Sequence, residues 1–156
     1  MDGTIYVKPQ YVIDLFGYYH VSRPDAGMIA DNLIDAEIRG VTTHGLTRIP
    51  LYTEKLISGL CDARAVPEIV RDYGATALID AHDGLGQVAA TKAMELAIEK
   101  AEQFGVGYVG LRSGSHYGTA GYYAMMAEKR GMIDLPFLIL TLLLVFIGLA
   151  MLLSAS

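Results

Sequence analysis

One cysteine, Cys61, is all the chain has, so no internal disulfide framework can form. No C-x-x-C pair and no His/Cys cluster with zinc spacing occurs, so no metal site is expected. Basic residues are in the minority, 12 Lys+Arg against 17 Asp+Glu for a net charge of −5. That balance argues against a nucleic-acid partner, which calls for a basic face. The opening Met1-Asp2-Gly3-Thr4-Ile5-Tyr6 has no basic stretch ahead of an apolar core, so no signal peptide is expected. The setting expected for residues 1–133 is therefore cytoplasmic. No internal repeat or low-complexity tract interrupts the 156 residues, a length that suits one domain.

Hydrophobic residues make up 53% of the chain, and the mean hydropathy is +0.36. The excess has a single source. Residues 135–156 carry no charge, and 17 of those 22 are apolar. The chain accordingly divides into a domain at 1–133 and an apolar tail at 134–156. Leu135 to Leu153 is 19 residues, about 28 Å as a helix, against a hydrocarbon core of about 30 Å. The tail reads as a transmembrane helix, with Glu128-Lys129-Arg130 ahead of it keeping the domain cytoplasmic. The alternative is a non-native extension produced by a disrupted reading frame.

Within the domain, periodicity sets the elements. Residues 8–20 place Tyr11, Val12, Leu15 and Tyr19 on one helical face. Ser22, Pro24 and Asp25 mark a helix start. Ala26, Ile29, Ala30, Leu33 and Ile34 then carry the apolar stripe to a stop at Gly40. A third helix is expected from Leu46 to Gly59, with a break or restart at Pro50. Strands are expected at 67–72 and 75–81, turning at Gly74, then a long helix to Phe104 ended by Gly105. A strand from Val106 to Leu111, a polar loop at 112–118 and a helix from Thr119 to Arg130 follow. The order predicts a mixed α/β fold: a helical N-terminal front packed on a partial mixed sheet with helices, followed by the apolar C-terminal helix.

Three segments hold the residues suited to chemistry. Gly84-Leu85-Gly86-Gln87-Val88-Ala89 fits the G-x-G-x-x-[GA] turn between a strand and a helix. It reads either as a pyrophosphate turn, with Arg112 placed for a 2′-phosphate, or as glycines making a tight strand-to-helix turn. Thr43-His44 is followed four residues later by Arg48, so a helix over 44–48 puts His44 and Arg48 on one face. An imidazole exchanges protons near neutral pH, and a guanidinium holds a carboxylate by two parallel hydrogen bonds. Together they suit reduction of a 2-oxo acid or oxidation of a 2-hydroxy acid. The plainer alternative is a capped helix start with a surface arginine. His116 lies among small residues in Ser113-Gly114-Ser115-His116-Tyr117-Gly118, a strand-end loop of the kind that carries function, or else a simple connector. His20 and His82 read as structural or surface residues, and the ten tyrosines as packing.

Ala36-Glu37-Ile38-Arg39-Gly40-Val41-Thr42-Thr43-His44-Gly45, continued by Arg48-Ile49-Pro50 and Tyr52, resembles the malate/L-lactate dehydrogenase family of non-Rossmann NAD(P)-dependent oxidoreductases. Gly84-Leu85-Gly86-Gln87 and Ser115-His116-Tyr117-Gly118 resemble its later blocks in the same order, and the likeness covers about residues 8–133. The resemblance implies a non-Rossmann fold and a homodimer, a small 2-oxo or 2-hydroxy carboxylate as substrate, and NAD or NADP as cofactor. It implies His44 as proton donor to the substrate carbonyl, Thr43 in a relay position usually held by Ser, and Arg48 as carboxylate binder. It places His116 at the substrate and cofactor site, as the base in some members, with Ser115 and Gly118 beside the cofactor. Family chains are longer, and this one turns apolar after Ile133. The expectation is a truncated NAD(P)-dependent oxidoreductase without most of its cofactor site. The alternative is a tail-anchored membrane protein whose domain serves non-catalytic binding or dimerisation, contacting the membrane through residues 135–153.

Overall fold

A computed structural model describes residues 7–132. In chain order the elements are α1 (Pro9–Tyr18), α2 (Arg23–Ile38), two 3-10 turns (Thr42–His44 and Leu46–Arg48), α3 (Ile49–Ile57), β1 (Glu68–Tyr73), β2 (Thr76–Asp80), α4 (Gly86–Phe104), β3 (Tyr108–Arg112) and α5 (Ala120–Glu128). The predicted C-terminal span at 135–153 lies outside the described residues. Among the described residues no helix is long and apolar enough to cross a membrane.

The helical front begins with α2. Ser22 caps it, its hydroxyl accepting from the Asp25 N–H at 3.3 Å, with Pro24 in the first turn. Ala26, Ile29, Ala30 and Leu33 recur at helical spacing and are fully buried. Burying side chains the size of Ile29 and Leu33 contributes about 1.5–3 kcal/mol each before entropy is counted. α1 turns Val12 and Phe16 toward them; of the predicted stripe Val12 is buried, Leu15 and Tyr19 are half-buried, and Tyr11 stays exposed. Val12 and Phe16 stand four residues apart and share one face, which leaves Tyr11 on the flank.

The predicted third helix and the Thr42–His44 turn ahead of it form three pieces, so residues 44–48 are not one helix as expected. Gly45, at φ −90° and ψ −142°, interrupts the helical path between the two 3-10 turns, and Pro50 opens α3 as a first-turn residue. The Glu37 carboxylate sets this break. It accepts from the Leu46 N–H at 2.8 Å, and a Cβ at position 45 would run into it.

The sheet has the order β1-β2-β3. β1 and β2 form an antiparallel hairpin around Gly74 (φ +56°), with the register shifting at Val70. β2 and β3 are parallel, Thr76 opposite Tyr108 through Asp80 opposite Arg112, and α4 makes the crossover. The third strand starts at Tyr108, later than Val106, because Gly105 ends α4 in the left-handed region and Gly107 lies against the α4 backbone at Ala97. The front packs on α4 rather than on the sheet itself, so α4 is shared by both regions: Val88 joins the front's core while Ala77 and Ile79 of β2 are buried behind it.

Candidate active site

β2 and β3 end side by side, and the loops that leave them are laced together. Ala81 N–H donates to the Arg112 carbonyl at 2.9 Å, Asp83 N–H to the Ser113 carbonyl at 2.8 Å, and Ser115 N–H to the Gly84 carbonyl at 3.3 Å. Non-glycine residues His82, Asp83 and Ser113 all adopt positive φ to make this crossing. The lacing carries His116 to the front, 72 residues beyond His44 in sequence, where their ring centroids lie 5.5 Å apart.

Arg48 N–H (Nε) donates to the Thr43 carbonyl at 2.6 Å, which folds the arginine back over its own turn. Both terminal guanidinium nitrogens are left without a protein partner among the described residues, which is the end that grips a carboxylate in two-pronged fashion. Thr43 Oγ1 lies 3.0 Å from His44 Nδ1, so Nε2 is the nitrogen His44 keeps for a ligand. Tyr52, fully buried on α3, places its hydroxyl 2.8 Å from His116 Nδ1. Burial pushes the Tyr52 phenol up, opposed by Arg48 and by the neighbouring Gln87. Burial likewise holds the His116 imidazolium below the usual histidine range, with the positive charges of Arg48, His44 and Lys55 adding to it. One polar cluster therefore holds Thr43, His44, Arg48, Tyr52 and His116.

Ser115 and Gly118 border the cluster, the Gly118 N–H donating to His116 Nδ1 at 3.2 Å. Ser115 Oγ accepts from the Gly86 N–H at 3.0 Å, and Gly118 (φ +84°) packs against the Asn32 amide, where a Cβ would not fit. Arg112 is engaged too: its Nε donates to Asp80 Oδ2 at 2.8 Å. A pyrophosphate turn needs free backbone N–H groups at the helix N-terminus. Here Ser115 takes the Gly86 N–H, and a Cβ on Gly86 would overlap the Ser115 and His116 carbonyls. The glycines serve close loop packing, and the described residues do not fit a pyrophosphate at this turn. His82 pairs with Glu68 at 3.2 Å at the far side of the strand ends.

Three contributors carry little signal in the sequence. Tyr52 reads as packing, although it stands four residues after Arg48 and so one helical turn further along. Glu37, which pins the 45–46 backbone, stands at helical spacing on the α2 face and in the family-like string, with nothing to mark Leu46 as its partner. Asn32 is buried and donates to the Tyr123 hydroxyl at 3.4 Å, holding α2 to α5 beneath the His116 loop.

The family pattern described as malate/L-lactate dehydrogenase matches residues 9–146. A malate dehydrogenase of Pyrococcus abyssi is 46% identical over 111 residues, which cover 71% of this chain and 31% of the relative. An L-sulfolactate dehydrogenase of Methanocaldococcus jannaschii is 43% identical over 128 residues, 82% of this chain and 37% of the relative. The solved structure of sulfolactate dehydrogenase from M. jannaschii superposes with a TM-score of 0.77 at 42% identity, over 78% of this chain and 36% of that one. That of malate dehydrogenase from Pyrococcus horikoshii OT3 gives 0.77 at 37% identity, over 84% and 41%. The chain thus matches 31% and 37% of the length of these two curated relatives. With the family pattern spanning most of its length and the same fold in solved members, the chain belongs to the malate/L-lactate dehydrogenase family.

Proposed function

We propose that the cluster is the substrate side of a 2-hydroxy/2-oxo acid dehydrogenase site, with Arg48 holding the carboxylate and His44 handling the proton at the carbonyl oxygen. The observation that carries this reading is the pairing of an arginine anchored through Nε, its two terminal nitrogens open, with an imidazole whose Nδ1 is held by Thr43. On reduction the carbonyl oxygen gains a proton, and His44 Nε2 is the ring position open to deliver it. On oxidation the same nitrogen takes the hydroxyl proton. Thr43 fixes the ring and connects Nδ1 to the surface, the relay role the family resemblance gives it. Tyr52 and His116 close the side of the cluster toward α4.

NAD or NADP is the hydride carrier this family reading implies. Of the residues linked to it by resemblance, Ser115 Oγ is taken up by the Gly86 N–H and the Gly118 N–H by His116 Nδ1. The described residues therefore take the proton and carboxylate work, and no step is assigned to them through a nicotinamide.

Oxamate, an unreactive 2-oxo acid analogue, tests the reading by calorimetry on the full chain. Saturable binding is expected, weakened about 10- to 100-fold in Arg48→Gln, since hydrogen bonds to charged groups contribute about 1.5–3 kcal/mol. Arg112→Gln, whose guanidinium is committed to Asp80, should bind as the wild type does. No binding, or binding indifferent to Arg48→Gln, would overturn the proposal.

A further inference from the structure

We infer that Tyr52 and the Gly118 N–H lock His116 as the neutral Nε2–H tautomer, making it a hydrogen-bond donor in the site and barring it from acting as the base. The geometry at one atom carries this. His116 Nδ1 has two neighbours, the Tyr52 hydroxyl at 2.8 Å and the Gly118 N–H at 3.2 Å. A backbone N–H can only donate. Nδ1 must then present a lone pair, and with no proton there the Tyr52 hydroxyl also has to donate to it. The single proton of the neutral ring is left on Nε2.

The surroundings favour that state over the imidazolium. A second ring proton would have to sit on Nδ1, pointing at the Gly118 N–H. From the 3-10 turns the ring faces Arg48 and His44, and from α3 it faces Tyr52 and Lys55. Gln87 at the start of α4 lies beside Tyr52, and Tyr117 of its own loop stacks on it with centroids 6.3 Å apart. None of these is a carboxylate. Tyr52 is buried and its phenol is held protonated, so the donor on Nδ1 persists through the physiological range.

The two neighbouring imidazoles thereby differ in kind. His44 has an alcohol on Nδ1, which can give or take a proton, so its ring can cycle. His116 has a backbone N–H on Nδ1, which cannot follow a proton, so its ring is fixed. Tyr52 acts here as a positioning residue, through His116. The consequence for substrate, an Nε2–H donated to a carbonyl or carboxylate oxygen, rests on the function proposed above; the tautomer does not.

Long-range proton–nitrogen correlation spectra of the full chain, labelled with ¹⁵N-histidine, read the tautomer directly. His116→Asn identifies the His116 signals by their loss among the four histidines. The expected wild-type result near neutral pH is a protonated Nε2 with an unprotonated Nδ1. In Tyr52→Phe the ring should begin to sample the Nδ1–H form, and its pKa should rise as the donor to the neutral form is lost. An Nδ1–H tautomer, an even mixture, or an imidazolium in the wild type would overturn the inference. A Tyr52→Phe chain with unchanged His116 signals would remove Tyr52 from it. The wild-type spectrum decides the tautomer even where Tyr52→Phe does not fold. Oxamate that leaves His116 unmoved would count against the proposed function and leave the tautomer standing.

Discussion

In the front, Phe16, Ile29, Leu33 and Tyr52 have no exposed surface, whereas every residue of β1 is exposed on the other side of α4. The front closes a core from three helices and one face of a fourth. The sheet, among the described residues, buries little beyond Ala77 and Ile79. The side chains proposed to do chemistry follow the same division. Thr43, His44, Arg48 and Tyr52 are held by the closed region, and His116 is brought to them by a loop fastened to the first residues of α4. The site's geometry therefore depends on the packing of the front and on the strand-end lacing, and much less on β1.

The contrast is broken most forcefully by removing a core aromatic. Phe16→Ala should cost about 3–5 kcal/mol in urea unfolding, since the cavity adds to the lost burial. Tyr73→Ala on β1, where the residue is 71% exposed, should stay within about 0.5 kcal/mol. Comparable losses from the two would erase the distinction.

Glycine substitutions sharpen it at smaller scale. Gly86→Ala forces backbone apart where α4 meets the His116 loop, at a cost of about 1–3 kcal/mol, and it should also disturb the His44–His116 pair. Gly17→Ala, in α1 with open space around it, should be neutral or stabilise by up to about 1 kcal/mol through helix propensity. The reverse ranking in unfolding experiments would show that the loop crossing is slack.

The smallest effect is expected at the sheet's end. The His82 N–H holds the Asp80 carboxyl below the usual range against the opposing effect of burial, and Arg112 adds to it. A carboxyl whose pKa is depressed on folding stabilises the fold above its unfolded pKa of about 3.9 and loses that contribution as pH falls through the folded value. The gap in urea midpoint between wild type and Asp80→Asn should thus be present near neutral pH and narrow below about pH 4. A gap that stays constant with pH would remove the ionic role of Asp80.

Much of this was legible in the chain. Ser22-x-Pro24-Asp25, the Ala26–Leu33 stripe and Gly40 delimit α2, and Gly74 and Gly105 mark turns that need positive φ. These signals are local, and local propensity is what sequence periodicity reports. The break at Gly45 was not legible, because it answers to the Glu37 carboxylate nine residues before Leu46. On α1 the stripe through Val12, Leu15 and Tyr19 is legible, and Tyr11, at its edge, is the member that stays exposed. The histidine loops were visible as polar, small-residue segments. The Tyr52 hydroxyl on His116 was not, since it depends on α3 and the strand-end loop meeting across 64 residues.

The most direct test of the site is whether ligand is felt at the front and not at the sheet. Oxamate titrated into the ¹⁵N-histidine-labelled full chain should move the His44 and His116 ring signals together along one saturation curve. His82, paired with Glu68 at the sheet end, should stay unmoved. Arg48→Gln should move that curve to about 10- to 100-fold higher oxamate at both rings. Signals of His44 and His116 that do not move, or that move with His82 and independently of Arg48, would contradict a carboxylate site built from these residues.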